Sequence, residues 1–211
     1  MNPPLSSCIE YSYLQPTTLL SHIQQLCSQA QQHNYASVCI PPLFVKKAKS
    51  FLINTHIKIA TVIGYPNGYS ATEAKLAEIV LAILDGADEL DVTINMAALK
   101  NNDWQYLAQE LNAILPIVKS KQKTIKIIIE TMELTNDEII KCCDLYGIAG
   151  VDYLQAGTGV LNADSDIEKI KLIRQHLTDA VGIKAIIKSN NNIFAEQLVK
   201  AGSNRLGYFS N

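Results

Sequence analysis

The sequence predicts an α/β protein that folds as a single (β/α)8 TIM barrel. Eight short apolar segments alternate strictly with seven segments of helical periodicity over the 211 residues. Most of the predicted strands are continuous apolar runs, which is typical of a parallel sheet covered by helices. Alternation at this count favours a closed barrel over an open doubly wound sheet. No linker, repeat or low-complexity block interrupts the chain, so we expect one domain over residues 1–211.

The individual elements follow from runs of apolar residues that end at glycine, proline or polar residues. The predicted strands cover residues 8–12, 35–40, 57–63, 89–94, 124–129, 151–155, 181–188 and 204–208. Helices are predicted up to about residue 33 and around 45–52, 70–86, 104–118, 136–146, 164–177 and 193–201. Thr17 or Thr18 is expected to cap the first helix, and Thr135 with Glu138 has the spacing of a capping box.

Composition and charge exclude several functional classes. The chain is 48% hydrophobic and 18% charged, with a net charge of -2, which does not favour binding to nucleic acid or to an anionic membrane. The first residues lack the basic and apolar regions of a signal peptide, and the longest apolar run, 79–84, is too short to cross a bilayer. Five cysteines without a CxxC pair favour reduced thiols, so we expect a cytoplasmic protein.

The chemistry of a (β/α)8 barrel lies at the carboxyl ends of its strands, so polar residues there are the candidates. These candidates are Glu10, Cys39, Asp91, Asn95, Glu130, Gln155, Lys184 and Lys188. No metal site is expected, because the four histidines are scattered and Asp88, Glu89 and Asp91 lack a partner set of ligands.

Several of these positions lie in segments that resemble the deoxyribose-phosphate aldolase family. The segments are YASVCIPPLFVKKAK (35–49), TVIGYPNG (61–68), ATEAK (71–75), DGADELDVTINMAALKNND (85–103), IIIETMELT (127–135), VDYLQAGTGV (151–160), VGIKA (181–185) and AGSNRLG (201–207). The resemblance implies a class I aldolase that reversibly joins acetaldehyde to glyceraldehyde 3-phosphate, giving 2-deoxyribose 5-phosphate. It also implies a lysine Schiff base, no cofactor, a sugar phosphate or aldehyde as ligand, and often a homodimer.

The resemblance assigns roles to three residues. Asp91 matches the family's proton-shuttling aspartate, although a carboxylate that only ties strands together is the alternative. Lys184 matches the second lysine, which lowers the pKa of the nucleophile; a lysine that extends outward to solvent is the alternative. Gln155 occupies the position of the Schiff-base lysine. A glutamine cannot form an iminium, so the nucleophile of the family is missing from this chain.

The expected phosphate site also departs from the family pattern. Two family glycines that cradle the phosphate fall on Ile187 and Lys188, whose side chains would block close backbone approach. Gly159, Gly207 and Ser210 remain candidate phosphate contacts. Lys188 is either a replacement phosphate-binding charge or a solvated lysine, and Cys39 is either a pocket-lining or a core thiol. The segment 9–16 replaces the family's Asp-His-Thr pattern and its lysine before proline.

Three functional hypotheses follow from these departures. The protein is a working aldolase of this family, or a variant that uses Lys184 as its nucleophile, with activity that is impaired or altered by Gln155. Alternatively, it is a catalytically inactive paralogue that binds a small ligand or acts as a scaffold. As a third possibility, it catalyses a different acid–base reaction on a related sugar phosphate, with Asp91 and Lys184 as the acid and base. Lys188 would lie roughly 13 Å along the strand from Lys184, too far to lower the pKa of that amine.

Overall fold

Eight parallel strands close into a barrel in the computed structural model, which describes residues 4–161, 164–188 and 191–209. The strands pair in chain order, and β8 pairs with β1 to close the sheet. Their bounds are β1 Ile9–Ser12, β2 Ser37–Ile40, β3 Lys58–Ile63, β4 Glu89–Thr93, β5 Thr124–Ile129, β6 Tyr153–Ala156, β7 Gly182–Ile187 and β8 Arg205–Phe209. The predicted single (β/α)8 barrel is confirmed.

Eight α-helices cover the described part of the barrel. Their bounds are α1 Leu20–His33, α2 Val45–Phe51, α3 Thr72–Asp85, α4 Met96–Lys100, α5 Trp104–Ser120, α6 Asn136–Ala149, α7 Ile167–His176 and α8 Asn192–Lys200. Both α4 and α5 lie between β4 and β5, and the short α4 was not predicted. Within the described residues, no helix is long and apolar enough to cross a membrane.

The alternation of side chains along each strand separates two environments. In β5, Ile125, Ile127 and Ile129 belong to the large apolar core packed beneath the helices. Lys126 occupies an alternate position of the same strand and points to the barrel interior, where its ammonium group contacts three carboxylates. The helices therefore bury the outer face of the sheet, whereas the barrel interior is free to hold polar groups.

Several predicted boundaries were wrong by a few residues. The first helix begins at Leu20, so neither Thr17 nor Thr18 caps it, and the Leu19 N–H donates to His22 Nδ1 at 3.2 Å. The helix predicted from residue 164 begins at Ile167, because the Asp166 side chain accepts from the Glu168 N–H and caps it. The capping box of Thr135 and Glu138 is confirmed at the start of α6.

Candidate active site

Six ionisable side chains from five strands meet inside the barrel. They are Glu10 of β1, Glu89 and Asp91 of β4, Lys126 of β5, Lys184 of β7 and Arg205 of β8. The two lysines and three carboxylates are all at most 4% exposed. Three carboxylates face three cations, so the cluster is neutral when all six groups are ionised. We refer to these six residues as the charge network.

Lys126 is the centre of the charge network and is fully buried. Its ammonium group contacts Glu10 Oε2, Glu89 Oε2 at 2.6 Å and Asp91 Oδ1 at 2.8 Å. Burial by itself would lower the pKa of Lys126, but Asp91, Glu10 and Glu89 outweigh burial and raise that pKa well above its ordinary value. Lys126 is therefore an ammonium ion at neutral pH.

Lys184 lies on the opposite side of Glu10 and Asp91. Its ammonium group contacts Glu10 Oε1, and its distance to Asp91 Oδ2 is 2.7 Å. Burial lowers the pKa of Lys184, but the charges of Asp91 and Glu10 outweigh burial, and the resulting pKa lies above the ordinary value. The side chain points into the barrel, not outward to solvent.

The two shared carboxylates respond differently to this environment. Burial would raise the pKa of Glu10, but Lys126, Lys184 and Arg205 hold it well below the ordinary value. Glu10 also accepts a hydrogen bond from Ser37 Oγ at 2.9 Å. The pKa of Asp91 is raised, first by burial and then by the negative charge of Glu10. Glu10 is therefore the firmly ionised member of the pair, and a proton added to the pair enters on Asp91.

Gln155 of β6 lies beside this network, and its Cα is the register partner of Lys184. Its side chain is 3% exposed, and Nε2 donates to the Gly157 carbonyl at 2.9 Å. Oε1 is buried without a hydrogen-bond partner among the described residues. The position expected to carry the nucleophile thus carries a neutral amide that is turned toward its own loop.

Cys39 of β2 also reaches the network, with Sγ 3.8 Å from Asp91 Oδ2. Burial, followed by the charges of Asp91 and Glu10, raises its pKa well above the ordinary value, so it is a thiol. Glu10, Cys39 and Asp91 place ligand atoms within 4.8 Å of one another, as a metal site would require. Lys126 and Lys184 already neutralise both carboxylates, however, so a metal ion would have to displace an ammonium group.

Tyr65, from the loop after β3, crosses the mouth of the barrel. Its hydroxyl group donates to the Thr158 carbonyl in the loop after β6 at 3.0 Å. Its ring packs against the small apolar cluster of Cys39, Ala60 and Val62. Burial raises the pKa of Tyr65, and the nearby Cys39 and Glu130 raise it further. Tyr65 therefore covers the route from solvent to the charge network on the β2–β3 side.

Two of the predicted phosphate contacts, Gly159 and Lys188, lie against the aromatic ring of Phe209. A Cβ placed on Gly159 would lie 2.3 Å from Phe209 Cζ, so the ring lies directly against this glycine. Lys188 Nζ lies 4.1 Å from the centre of the same ring, and burial lowers the pKa of Lys188, partly offset by Asp164. A Cβ placed on Gly207 would lie 2.9 Å from Lys184 Cε, so the Lys184 side chain packs directly against this glycine.

The remaining predicted positions do not meet at this ring. Ile187 points outward into the apolar core beneath the helices. Ser210 lies outside the described residues, as do Ser189 and Asn190 of the predicted polar loop.

Sequence reasoning missed Lys126, Arg205 and Phe209. The signal for Lys126 was present, because a lysine inside the apolar run TIKIII is as exceptional as the lysine inside VGIKA. Arg205 carried a weaker signal at the start of its strand. Phe209 carried none, since an aromatic residue in a barrel strand is ordinary.

A separate cavity of about 360 Å³ opens beside the covered mouth. It lies among the loops that follow β3, β4, β5 and β6. Its lining consists of Pro66, Asn67, Tyr69, Met96, Ala97, Lys100, Glu130, Glu133, Thr158, Val160 and Leu161. We refer to it as the loop cavity.

Comparison with known proteins agrees with this architecture. Residues 9–191 match the DeoC/LacD family aldolase model. The deoxyribose-phosphate aldolase of Thermoanaerobacter pseudethanolicus is 36% identical over 204 residues, which are 96% of this chain and 92% of that one. The Clostridioides difficile deoxyribose-phosphate aldolase is 39% identical over 201 residues, covering 94% and 90% of the two chains.

Solved structures give the same result. A provisionally assigned deoxyribose-phosphate aldolase from Coccidioides immitis superposes with a TM-score of 0.89 at 31% identity, over 96% of this chain and 81% of that one. The tetrameric deoxyribose phosphate aldolase of Aeropyrum pernix has a TM-score of 0.88 over 96% and 86% of the chains; at 24% identity it supports the fold alone. The chain belongs to the DeoC/LacD family of aldolases and is a deoxyribose-phosphate aldolase-like protein.

Proposed function

We propose that this deoxyribose-phosphate aldolase-like protein has lost Schiff-base catalysis and uses its barrel to bind a small molecule. The observation that carries the proposal is the pairing of both inward lysines with carboxylates. Beside Lys184, the position where the family resemblance leads us to expect the nucleophile carries the neutral amide of Gln155. The fold is retained, and the amine chemistry is not. A less complete loss, in which some aldolase activity remains, is the milder form of the same proposal.

A class I aldolase needs a neutral amine at neutral pH, since only the unprotonated nitrogen attacks a carbonyl carbon. Lys126 and Lys184 each have a raised pKa, because their carboxylate partners outweigh the effect of burial. Lys184 lies close enough to Gln155 to influence an amine there. The neighbouring cation Lys126 lowers the pKa of Lys184, but the charges of Asp91 and Glu10 outweigh it, so Lys184 stays protonated and is unsuited to be the nucleophile itself. This electrostatic environment disfavours the variant in which Lys184 forms the iminium.

The barrel mouth supports the same conclusion. Phe209 occupies the space against Gly159, and Tyr65 bridges to Thr158 across the opening. A phosphorylated sugar would have to displace a ring that already contacts Lys188. The loop cavity, in contrast, has a volume within the range of small-molecule sites. We therefore place ligand binding in the loop cavity and not at the charge network.

Reductive trapping tests the loss of the nucleophile. The protein is incubated separately with acetaldehyde and with 2-deoxyribose 5-phosphate, reduced with borohydride and analysed by intact mass and peptide mapping. We expect no adduct inside the barrel, whereas the Thermoanaerobacter pseudethanolicus relative run in parallel serves as the positive control. A substoichiometric adduct on exposed lysines is not evidence of catalysis. An adduct on Lys184 or Lys126, together with turnover, would overturn the proposal.

The substitution Gln155→Lys tests the same site by introducing the amine that this position lacks. The new amine would be buried beside Lys184, and both burial and the neighbouring positive charge would lower its pKa. We expect borohydride to trap acetaldehyde on this residue. Gln155→Met, which fits the same space without an amine, is the matched control and should give no adduct. A folded Gln155→Lys protein that forms no adduct would mean that access to the barrel, and not the missing amine, is limiting.

An acid–base reaction that uses Asp91 and Lys184 is the second candidate. It draws support from the raised pKa of Asp91 beside the ammonium group of Lys184 at 2.7 Å. The argument against it is that Asp91 and Lys184 are each only 1% exposed, which leaves a substrate little access to them. Proton NMR of 2-deoxyribose 5-phosphate in D2O would detect either deuterium incorporation or conversion. A reaction that Asp91→Asn abolishes would favour this candidate, and unchanged spectra would exclude it for this substrate.

A further inference from the structure

Glu130 is a buried carboxylate without a cationic partner among the residues that the structure describes. It follows β5 directly and is 8% exposed. Its Oε2 accepts from the Thr158 N–H at 2.9 Å and from Thr158 Oγ1 at 2.6 Å, and both donors are neutral. Oε1 accepts no hydrogen bond from the part of the chain that the structure describes. None of the ion pairs between described residues includes Glu130.

The other buried carboxylates behave differently. Glu10, Glu89 and Asp91 are paired within the charge network, and Glu110 pairs with the buried Lys75 at 2.7 Å. Pairing of this kind is expected, because an uncompensated charge removed from water is strongly unfavourable. Glu130 is the exception among the described residues: its donors are the neutral groups of Thr158, and it lines a cavity from which a cation could approach it.

Glu130 lines the loop cavity together with a second carboxylate, Glu133, which is exposed. Lys100 is the basic residue of the lining, but its Nζ is already bound to the Glu133 carbonyl at 2.7 Å and to the Glu138 carboxylate at 2.9 Å. The cavity therefore has an excess of negative charge that its own lysine does not offset.

The rest of the lining is largely apolar. Its apolar and aromatic lining residues include Pro66, Tyr69, Met96, Val160 and Leu161. Val160 and Leu161 are 54% and 48% exposed, so about half of each of these apolar residues is open to solvent. A ligand with an apolar body would cover this surface while a polar end reached Glu130.

We propose that the loop cavity binds a primary ammonium group carried on a short apolar chain. The ammonium group would donate to Glu130 Oε1, and the chain would pack on Met96, Val160 and Leu161. Thr158 already occupies Oε2, so the carboxylate offers one oxygen; this suits a point-like ammonium better than a guanidinium, which prefers two parallel bonds. The proposal names the ligand class for the binding function proposed above and rests on that function.

A titration with n-pentylammonium chloride tests the proposal on the wild-type protein. 1-Pentanol is the matched neutral probe of nearly the same shape. The Thr158 amide resonance reports the site in 1H–15N spectra, because this N–H donates to Glu130. We expect saturable shifts of the Thr158 amide with pentylammonium at millimolar concentration, and binding of pentanol at least tenfold weaker. Equal affinity for the two probes, or no shift with pentylammonium, would overturn the proposal.

Two variants locate the charge that is responsible. Glu130→Gln keeps an acceptor for Thr158 but removes the charge, and it should weaken pentylammonium binding at least tenfold. Glu133→Gln removes an exposed charge from the same cavity and should change the affinity by no more than about threefold, since exposed charges are screened by solvent. If both variants bind like the wild type, Glu130 only anchors the loop after β6 and the proposal is wrong. Borohydride trapping does not involve this cavity, so the two proposals can fail separately.

Discussion

Substitution of Lys126 by methionine tests the idea that the charge network now serves the stability of the barrel. Methionine has a similar length and keeps the packing, but it removes the ammonium group that contacts Glu10, Glu89 and Asp91. Three buried carboxylates would then face the two remaining cations, Lys184 and Arg205. Breaking a buried ion pair from one side typically costs about 3–5 kcal/mol, because the other charge stays buried without compensation.

The loss is measured by urea unfolding followed by circular dichroism at about pH 7. With a urea dependence of about 3 kcal/mol per molar, a loss of this size lowers the midpoint by about 1–1.7 M. Lys58→Met is the control, because Lys58 lies exposed at the start of β3, where a surface substitution changes the free energy of unfolding by no more than about 0.5 kcal/mol.

A double variant makes the prediction more specific. Adding Glu89→Gln to Lys126→Met restores equal numbers of buried charges, so it should recover a substantial part of the lost stability. A midpoint for Lys126→Met within about 0.3 M of the wild type would refute the reasoning, since the network would then contribute little to folding. A double variant less stable than Lys126→Met would refute the argument from charge balance.

Three further predictions concern acid stability and access to the barrel. The folded pKa of Glu10 is depressed, so its contribution to stability is present above its unfolded pKa of about 4.5 and is lost as the pH falls toward the folded value. The difference in urea midpoint between wild type and Glu10→Gln should therefore shrink below about pH 4.5 and stay constant above about pH 6; the opposite trend would contradict the assignment. Phe209→Ser should open the space against Gly159, and equilibrium dialysis should detect binding of inorganic phosphate that the wild type lacks; equal binding by both proteins would show that the ring does not block the site. Tyr65→Ala should increase the rate at which a maleimide labels Cys39 at least tenfold, as measured by mass spectrometry. Tyr65→Phe keeps the ring and should increase the labelling rate by less than about threefold.

The fold was predictable because each strand carries its own signal. A continuous apolar run such as TIKIII predicts a strand that is buried on both faces. Eight such strands with helices between them are compatible with few topologies. The ends of elements were less predictable. Asp166 caps its helix by accepting from the Glu168 N–H, but the adjacent Asp164 and Ser165 are also common N-cap residues, so the sequence did not show which of them begins the helix.

The candidate site was predictable in part. Asp91, Lys184 and Gln155 were identified because they lie at the ends of strands or inside apolar runs. The partners of Lys184 were not identified, since Glu10 is 174 residues away in the sequence and becomes a neighbour only when the barrel closes. The pKa of a buried lysine depends on such partners more than on its own segment. For this reason the sequence alone left Lys184 open as a nucleophile, while the geometry favours a paired ammonium ion.

The charge network also bears on how activity is inferred across this family. Selection for a stable barrel is sufficient to retain Lys184 and Asp91, since each compensates a buried charge on the other. Under the function proposed above, their presence in a relative therefore carries little information about catalysis, and the residue at the position of Gln155 carries more. The same proposal predicts that loss of activity in such barrels changes this one position while the paired charges stay fixed. Sorting sequences by position 155 would then separate enzymes from proteins that keep only the scaffold.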